Sequence, residues 1–176
     1  MIKYWDYKYE YKGLKKNILN LVNKVFSSGS LLLGKELKNF EKNFCKFNNS
    51  KYGLGVANGT DALYIALKSL NIKKGDEVIT VSHTATGTAM AILNTGATPI
   101  FCDISEDDYN INLNIIESKI TAKTKAIVVV HLYGQSCNLT KLISITKKYK
   151  IPLVEDCSQA AGSKFKNKYL GSFGDF

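Results

Sequence analysis

Lys125-Ala126-Ile127-Val128-Val129-Val130-His131 is the stretch on which the fold turns. Its five consecutive apolar residues include three valines, which suit a strand. A strand apolar on both faces must be covered on both faces, as in a parallel sheet between two helical layers. Working outward, Leu139–Tyr149 reads as a helix and Pro152–Glu155 as a strand leading into Asp156. Upstream, Tyr52–Ala57 reads as a strand, Thr60–Leu70 as a helix, and Gly75-Asp76 as a turn. Glu77–Ser82 reads as a strand, Thr86–Asn94 as a helix ended by Gly96, Thr98–Cys102 as a strand, and Asn112–Ile120 as a short helix. The alternation predicts an α/β fold, a mostly parallel sheet flanked by helices, with right-handed crossovers.

Before residue 52 the pattern is helical only. Leu14, Ile18, Leu21, Val22, Val25 and Phe26 recur at helical spacing, closed by Ser27-Ser28-Gly29, and Leu37, Phe40, Phe44 and Phe47 mark a second helix. The expected division is a helical arm over residues 1–51 and an α/β unit over residues 52–176.

The chain has 176 residues, 45% of them hydrophobic and 11% aromatic, which excludes disorder. At roughly 150 residues per domain, no second complete domain is expected. No window approaches the run of about 18 apolar residues a membrane helix needs. Met1–Asp6 lacks the apolar run of a signal peptide, so a cytoplasmic setting is expected. The net charge of +9 comes entirely from lysine. Residues 1–52 hold eleven lysines against four acids, a balance of +7. Arginine, the preferred bidentate reader of phosphates and guanine edges, is absent, which weakens a nucleic-acid reading. Cys45, Cys102, Cys137 and Cys157 form no CxxC pair, so they read as small reduced core residues and no metal site is expected.

Three strand ends carry residues that an apolar core does not request, where ligands sit in such sheets. Ala57-Asn58-Gly59-Thr60-Asp61-Ala62 runs from a strand into a helix, whose N-terminus can receive an anion or be capped by Asn58 or Thr60. It is neither GxGxxG nor GxxxxGK[ST], which argues against a nucleotide-binding oxidoreductase. Ser82-His83-Thr84-Ala85-Thr86 is a second such junction, where His83 reads either as a ligand contact or as a structural residue. Glu155-Asp156-Cys157-Ser158-Gln159-Ala160 delivers Asp156 to the sheet edge, where a carboxylate needs a cationic partner or a capping role. A phosphate cradle and a carboxylate at neighbouring strand ends point to a phosphorylated heterocycle, such as pyridoxal phosphate.

Other motifs lie in the same order: Ser28-Gly29, Leu33-Gly34-Lys35-Glu36-Leu37, Phe40-Glu41, Gly75-Asp76-Glu77-Val78-Ile79 and Gly96-Ala97-Thr98-Pro99. Thr124-Lys125-Ala126-Ile127, His131-Leu132-Tyr133-Gly134-Gln135 and Gly171-Ser172-Phe173-Gly174-Asp175 complete the series. Together they resemble the N-terminal part of the sugar aminotransferases of the DegT/DnrJ/EryC1/StrS family, with the aspartate-aminotransferase fold (fold type I). The resemblance implies an incomplete large domain and pyridoxal 5'-phosphate as cofactor. It implies that Gly59, Thr60 and the Asp61 amide cradle the cofactor phosphate, Asp156 pairs with the pyridine nitrogen, and Gln159 bonds near the phenolic oxygen. The family's ring-stacking aromatic falls at Ala85, so His83 or a residue from elsewhere is expected to cover the ring.

The resemblance also implies a nucleotide-linked keto sugar as substrate, an amino donor such as glutamate, and a homodimer. The Schiff-base lysine is expected beyond Phe176, so no catalytic residue is assigned within the chain and the chain alone is expected to be inactive. Lys164, Lys166 and Lys168 read as surface residues of a turn. Two alternatives stay open: a dehydratase of the same fold with histidine in place of that lysine, and a non-catalytic fragment that binds cofactor phosphate or a partner chain.

Overall fold

A computed structural model of the chain describes residues 5–176. Residues 1–4, on which most of the reading of Met1–Asp6 rests, lie outside the described residues. Helix α1 (Tyr7–Ser27) is capped by the Asp6 carboxylate and is followed by α2 (Lys35–Asn48). Then come α3 (Gly59–Ser69), β1 (Glu77–Val81), α4 (Thr86–Asn94), β2 (Thr98–Cys102), the single turn α5 (Ile116–Lys119) and β3 (Thr124–Val130). A 3₁₀ turn (Leu132–Gly134), α6 (Leu139–Tyr149), β4 (Leu153–Asp156) and a hairpin of β5 (Lys164–Phe165) and β6 (Lys168–Tyr169) complete the order.

Strands β2-β1-β3-β4 form one parallel sheet in that spatial order. The apolar run of β3 serves two cores at once. Ala126 and Val128 pack with Leu63, Leu67, Ala91 and Ile92 of α3 and α4 on one face. Ile127 and Val129 pack with Leu139, Leu142 and Ile145 of α6 on the other. Ile127, Val128 and Val129 are fully buried, and each such side chain contributes about 1.5–3 kcal/mol over leaving it exposed.

Three expectations need correcting. Tyr52–Ala57 is not a strand: no ladder partner lies beside it among the described residues, and the Gly55 amide donates instead to Glu41 Oε1 at 2.8 Å. Asn112–Ile120 shortens to one helical turn, because Asn112 Oδ1 accepts the Asn114 amide at 3.0 Å and stabilises a turn there instead. The cysteines are free, but of the four only Cys102 and Cys137 are buried, with Cys45 and Cys157 half-buried. The three lysines do lie in a tight hairpin, Lys164 and Lys168 on its strands and Lys166 in its turn, where Lys166 and Asn167 have φ 47° and 65°, as a two-residue turn of this twist requires.

The apolar stripe of α1 meets no core: no residue of that helix is buried. Among the described residues no helix is long and apolar enough to cross a membrane.

Beyond β4 the chain returns to the sheet. The Asp175 amide donates to the Leu153 carbonyl at 2.8 Å, the Glu155 amide to the Phe176 carbonyl at 2.9 Å, and the Leu153 amide to Asp175 Oδ2 at 2.9 Å. The Glu155 side chain secures this return. Its Oε1 accepts the amides of Phe173 and Gly174, both at 2.6 Å, and its Oε2 accepts the Gly171 amide and pairs with His131 Nε2, both at 2.9 Å.

Burial works to raise the Glu155 pKa, but His131 and the three amides outweigh it and hold the carboxyl below its ordinary value of 4.5. The unfolded chain therefore takes up this proton at higher pH than the folded one, so the carboxylate's contribution is complete above the ordinary value. It is lost as pH falls through the lower folded value. Glu155→Gln is expected to cost about 3 kcal/mol near neutral pH, since it leaves buried groups mispaired. Urea unfolding at a series of pH values should show the gap between wild type and variant closing in acid.

Candidate functional site

The carboxyl ends of β1, β3 and β4 open onto a cavity of about 170 Å³. Gly59, Thr60 and Leu63 of α3 line it from one side, and Thr84, Ala85, Gly87 and Thr88 at the start of α4 from another. Val130, Leu132, Asp156, Ser158 and Gln159 close it. Two helix N-termini therefore converge on one small space, each bringing amides without intrahelical acceptors and a partial positive charge.

That convergence demands small residues. A Cβ on Gly87 would lie 2.6 Å from Thr60 Oγ1, and one on Gly59 would lie 3.3 Å from Ser158 Oγ. Asn58 caps α3 by accepting the Asp61 amide on Oδ1 at 2.9 Å, and its Nδ2 donates to Asp61 Oδ2 at 2.9 Å. The Asp61 amide is thus already engaged. The donors left at this end are the Gly59 and Thr60 amides and the Thr60 hydroxyl.

Asp156 is buried at the end of β4. Thr88 Oγ1 donates to its Oδ2 at 2.9 Å, and Ser158 donates to its Oδ1 from the hydroxyl at 2.6 Å and the amide at 3.1 Å. Thr84 Oγ1 lies 2.9 Å from Thr88 Oγ1 and extends the chain of hydroxyls. Among the described residues no side chain supplies the expected cationic partner, and no helix follows for Asp156 to cap; neutral donors hold the carboxylate instead. The Ser158 contact follows from its spacing of two residues after an aspartate. The Thr88 contact spans 68 positions and has no local signal.

Of the seven residues singled out in sequence, Gly59, Thr60, Ala85, Asp156 and Gln159 line this cavity. Asp61 stands behind the cap. His83 stands outside the lining, its ring 6.2 Å from that of Tyr133. Gln159 Oε1 accepts the Tyr133 amide at 2.9 Å, so its Nε2 is the end free to donate to a ligand. Among the described residues no lysine lines the cavity.

A second group of polar atoms lies nearby: ligand atoms of His131, Glu155 and Cys157 all fall within 4.8 Å of one another. Burial pushes the Cys157 thiol up to about 12, and both Glu155 oxygens already take protein donors. That chemistry suits a tie within the fold, not a metal centre.

The donor set of the first cavity suits a phosphorylated ring. Amides and a hydroxyl at converging helix ends match a phosphate. A buried carboxylate that meets no cation among the described residues matches a protonated ring nitrogen.

Comparison with known proteins agrees with this chemistry. The chain is 42% identical over 171 residues to a dTDP-3-amino-3,4,6-trideoxy-alpha-D-glucose transaminase of Micromonospora megalomicea subsp. nigra, covering 97% of this chain and 46% of that protein. The crystal structure of S. venezuelae DesV in complex with a ketimine intermediate superposes with a TM-score of 0.93 at 35% identity, covering 97% of this chain and 46% of that one. NtdA from Bacillus subtilis with bound cofactor PMP superposes with a TM-score of 0.84 at 34% identity, covering 88% and 36%. The chain thus spans less than half the length of these relatives. Residues 12–176 match the family model directly, and the chain belongs to the DegT/DnrJ/EryC1/StrS aminotransferase family.

Proposed function

We propose that this chain provides the cofactor-holding part of a pyridoxal-phosphate-dependent aminotransferase that acts on a nucleotide-linked keto sugar. The observation that carries the reading is Asp156, a buried carboxylate facing a cavity into which two helix N-termini also point. Family membership and the nucleotide-sugar transaminases among its relatives support the substrate class. Glutamate as donor, a homodimeric whole protein, a cytoplasmic setting and the division at residue 52 belong to the same proposal.

In this reading the Gly59 and Thr60 amides and the Thr60 hydroxyl donate to the phosphate, with the α3 dipole favouring its charge. Asp156 accepts the ring N–H and keeps the proton on that nitrogen. Thr88 and Ser158 fix the carboxylate so that it does not turn away. Gln159 Nε2 donates to the ring oxygen, and Asp61 acts indirectly by holding the Asn58 cap. The bound cofactor supplies an electron sink for chemistry at the carbon that carries the amino group. Removal and return of the proton at that carbon require a base, and no lysine of the cavity lining provides one.

Two outcomes are expected of the 176-residue chain. Fluorescence titration with pyridoxamine 5'-phosphate should saturate, inorganic phosphate should compete, and Asp156→Asn should weaken binding at least tenfold, as loss of a charge-assisted bond of roughly 1.5–3 kcal/mol requires. Equal affinity in the variant would contradict the role given to Asp156. Borohydride treatment with pyridoxal phosphate, followed by mass spectrometry, should leave no stoichiometric attachment at one lysine, and amino transfer to a keto-sugar nucleotide should be undetectable. A single modified lysine or measurable turnover would contradict the assignment of the base to a residue outside this chain.

A further inference from the structure

The cavity wall is apolar at Leu63, Val130 and Leu132 but small at Ala85. A flat ring resting there is shielded from water when another ring lies against it. Two aromatic residues stand outside the lining, each next in sequence to a lining residue: His83 precedes Thr84 and Tyr133 follows Leu132. His83 follows β1 and Tyr133 follows β3, and these are neighbouring parallel strands, so both emerge at the same edge of the sheet. They meet edge to face at 6.2 Å and 67°.

Tyr133 is held in an unusual state. Its backbone lies at φ 57° and ψ 19°, the left-handed region that a bulky residue rarely enters. Its amide is tied to Gln159, a cavity residue, at 2.9 Å. The following Gly134, at φ 77°, has Ser163 Oγ only 3.0 Å from where a Cβ would stand, which keeps the turn in place. The Tyr133 side chain nonetheless remains 73% exposed, so packing does not explain why a large aromatic occupies a strained position. Strain of this kind collects where a side chain is presented to a ligand.

We infer that Tyr133, paired with His83, is the ring cover of this site: the two side chains close over the planar ligand held on Asp156, in place of the aromatic that Ala85 lacks. The inference rests on the reading in the preceding subsection and adds Tyr133 as a binding residue.

The test is titration of the 176-residue chain with pyridoxamine 5'-phosphate, run beside thermal unfolding. Tyr133→Gly keeps the left-handed backbone and its amide while removing the ring. It should weaken binding roughly tenfold, the scale of one lost ring contact with its buried area, with Tm unchanged or raised. His83→Ala should weaken binding in the same direction, and Tyr133→Phe should bind as wild type does. If Tyr133→Gly also lowers Tm, the other two variants decide: weak binding in His83→Ala with normal binding in Tyr133→Phe upholds the pair. Wild-type affinity in Tyr133→Gly and His83→Ala, while Asp156→Asn loses binding, overturns the cover and leaves the site reading intact. Absence of saturable binding in wild type overturns both.

Discussion

Strand β4 ends in two successive buried carboxylates, and their separation onto opposite faces of the sheet organises everything around them. Glu155 turns toward the α6 side and gathers His131 and the backbone of residues 171–174. Asp156 turns toward α4 and accepts Thr88. Two adjacent anions in a core are tolerable because each is met by several short hydrogen bonds, none from a lysine among the described residues. The division of labour is physical. Glu155, with two partners on each oxygen, is saturated and anchors chain. Asp156 has only Thr88 on Oδ2 and lines a cavity, so that oxygen can accept one more donor.

The cavity adds the complementary half. A buried anion and two helix N-termini share one small space, with Thr88 in the first turn of α4 and Ser158 beside Gly59 both bonded to the Asp156 carboxylate. Such a space suits a ligand that carries both a negative group and a positive ring. Gly87 matters because the α4 start comes so close to α3 that a side chain would intrude on Thr60, and Gly59 because the segment after β4 brings Ser158 close against the α3 start. The site is therefore a property of how the βα junctions meet. No single loop carries it, which is why neither of the common glycine-rich phosphate motifs occurs.

Much of this was legible in the amino-acid order. Ala126–Val130 reads as a doubly buried strand because every residue faces one core or the other. The helix read from Thr60 begins one residue earlier, at Gly59 behind the Asn58 cap, and the helix read from Thr86 begins there without a side-chain cap. Tyr52–Ala57 misled because strand-like composition describes a preference, while a strand exists only with a neighbour to share hydrogen bonds; its Gly55 amide turned to Glu41 instead. Asp156 is legible in sequence as a carboxylate delivered to the sheet edge, but Thr88 is not legible as its partner, since a contact across 68 residues leaves no pattern in sequence. The engagement of the Asp61 amide by Asn58 likewise needed coordinates, because Asn58 and Thr60 are both competent caps. Tyr133 lies in a motif visible in sequence, yet its left-handed backbone has no compositional signal in a tyrosine.

The proposed role of Asp156 is to keep a proton on the nitrogen of a ring bound in the cavity. The direct measurement is the nitrogen-15 NMR spectrum of pyridoxamine 5'-phosphate, labelled at the ring nitrogen and bound to the 176-residue chain. A shift of the protonated, pyridinium type for the wild-type complex, moving toward the neutral pyridine value in Asp156→Asn, is the expected result. A neutral ring nitrogen in the wild-type complex near pH 8, or an identical shift in the variant, would contradict it.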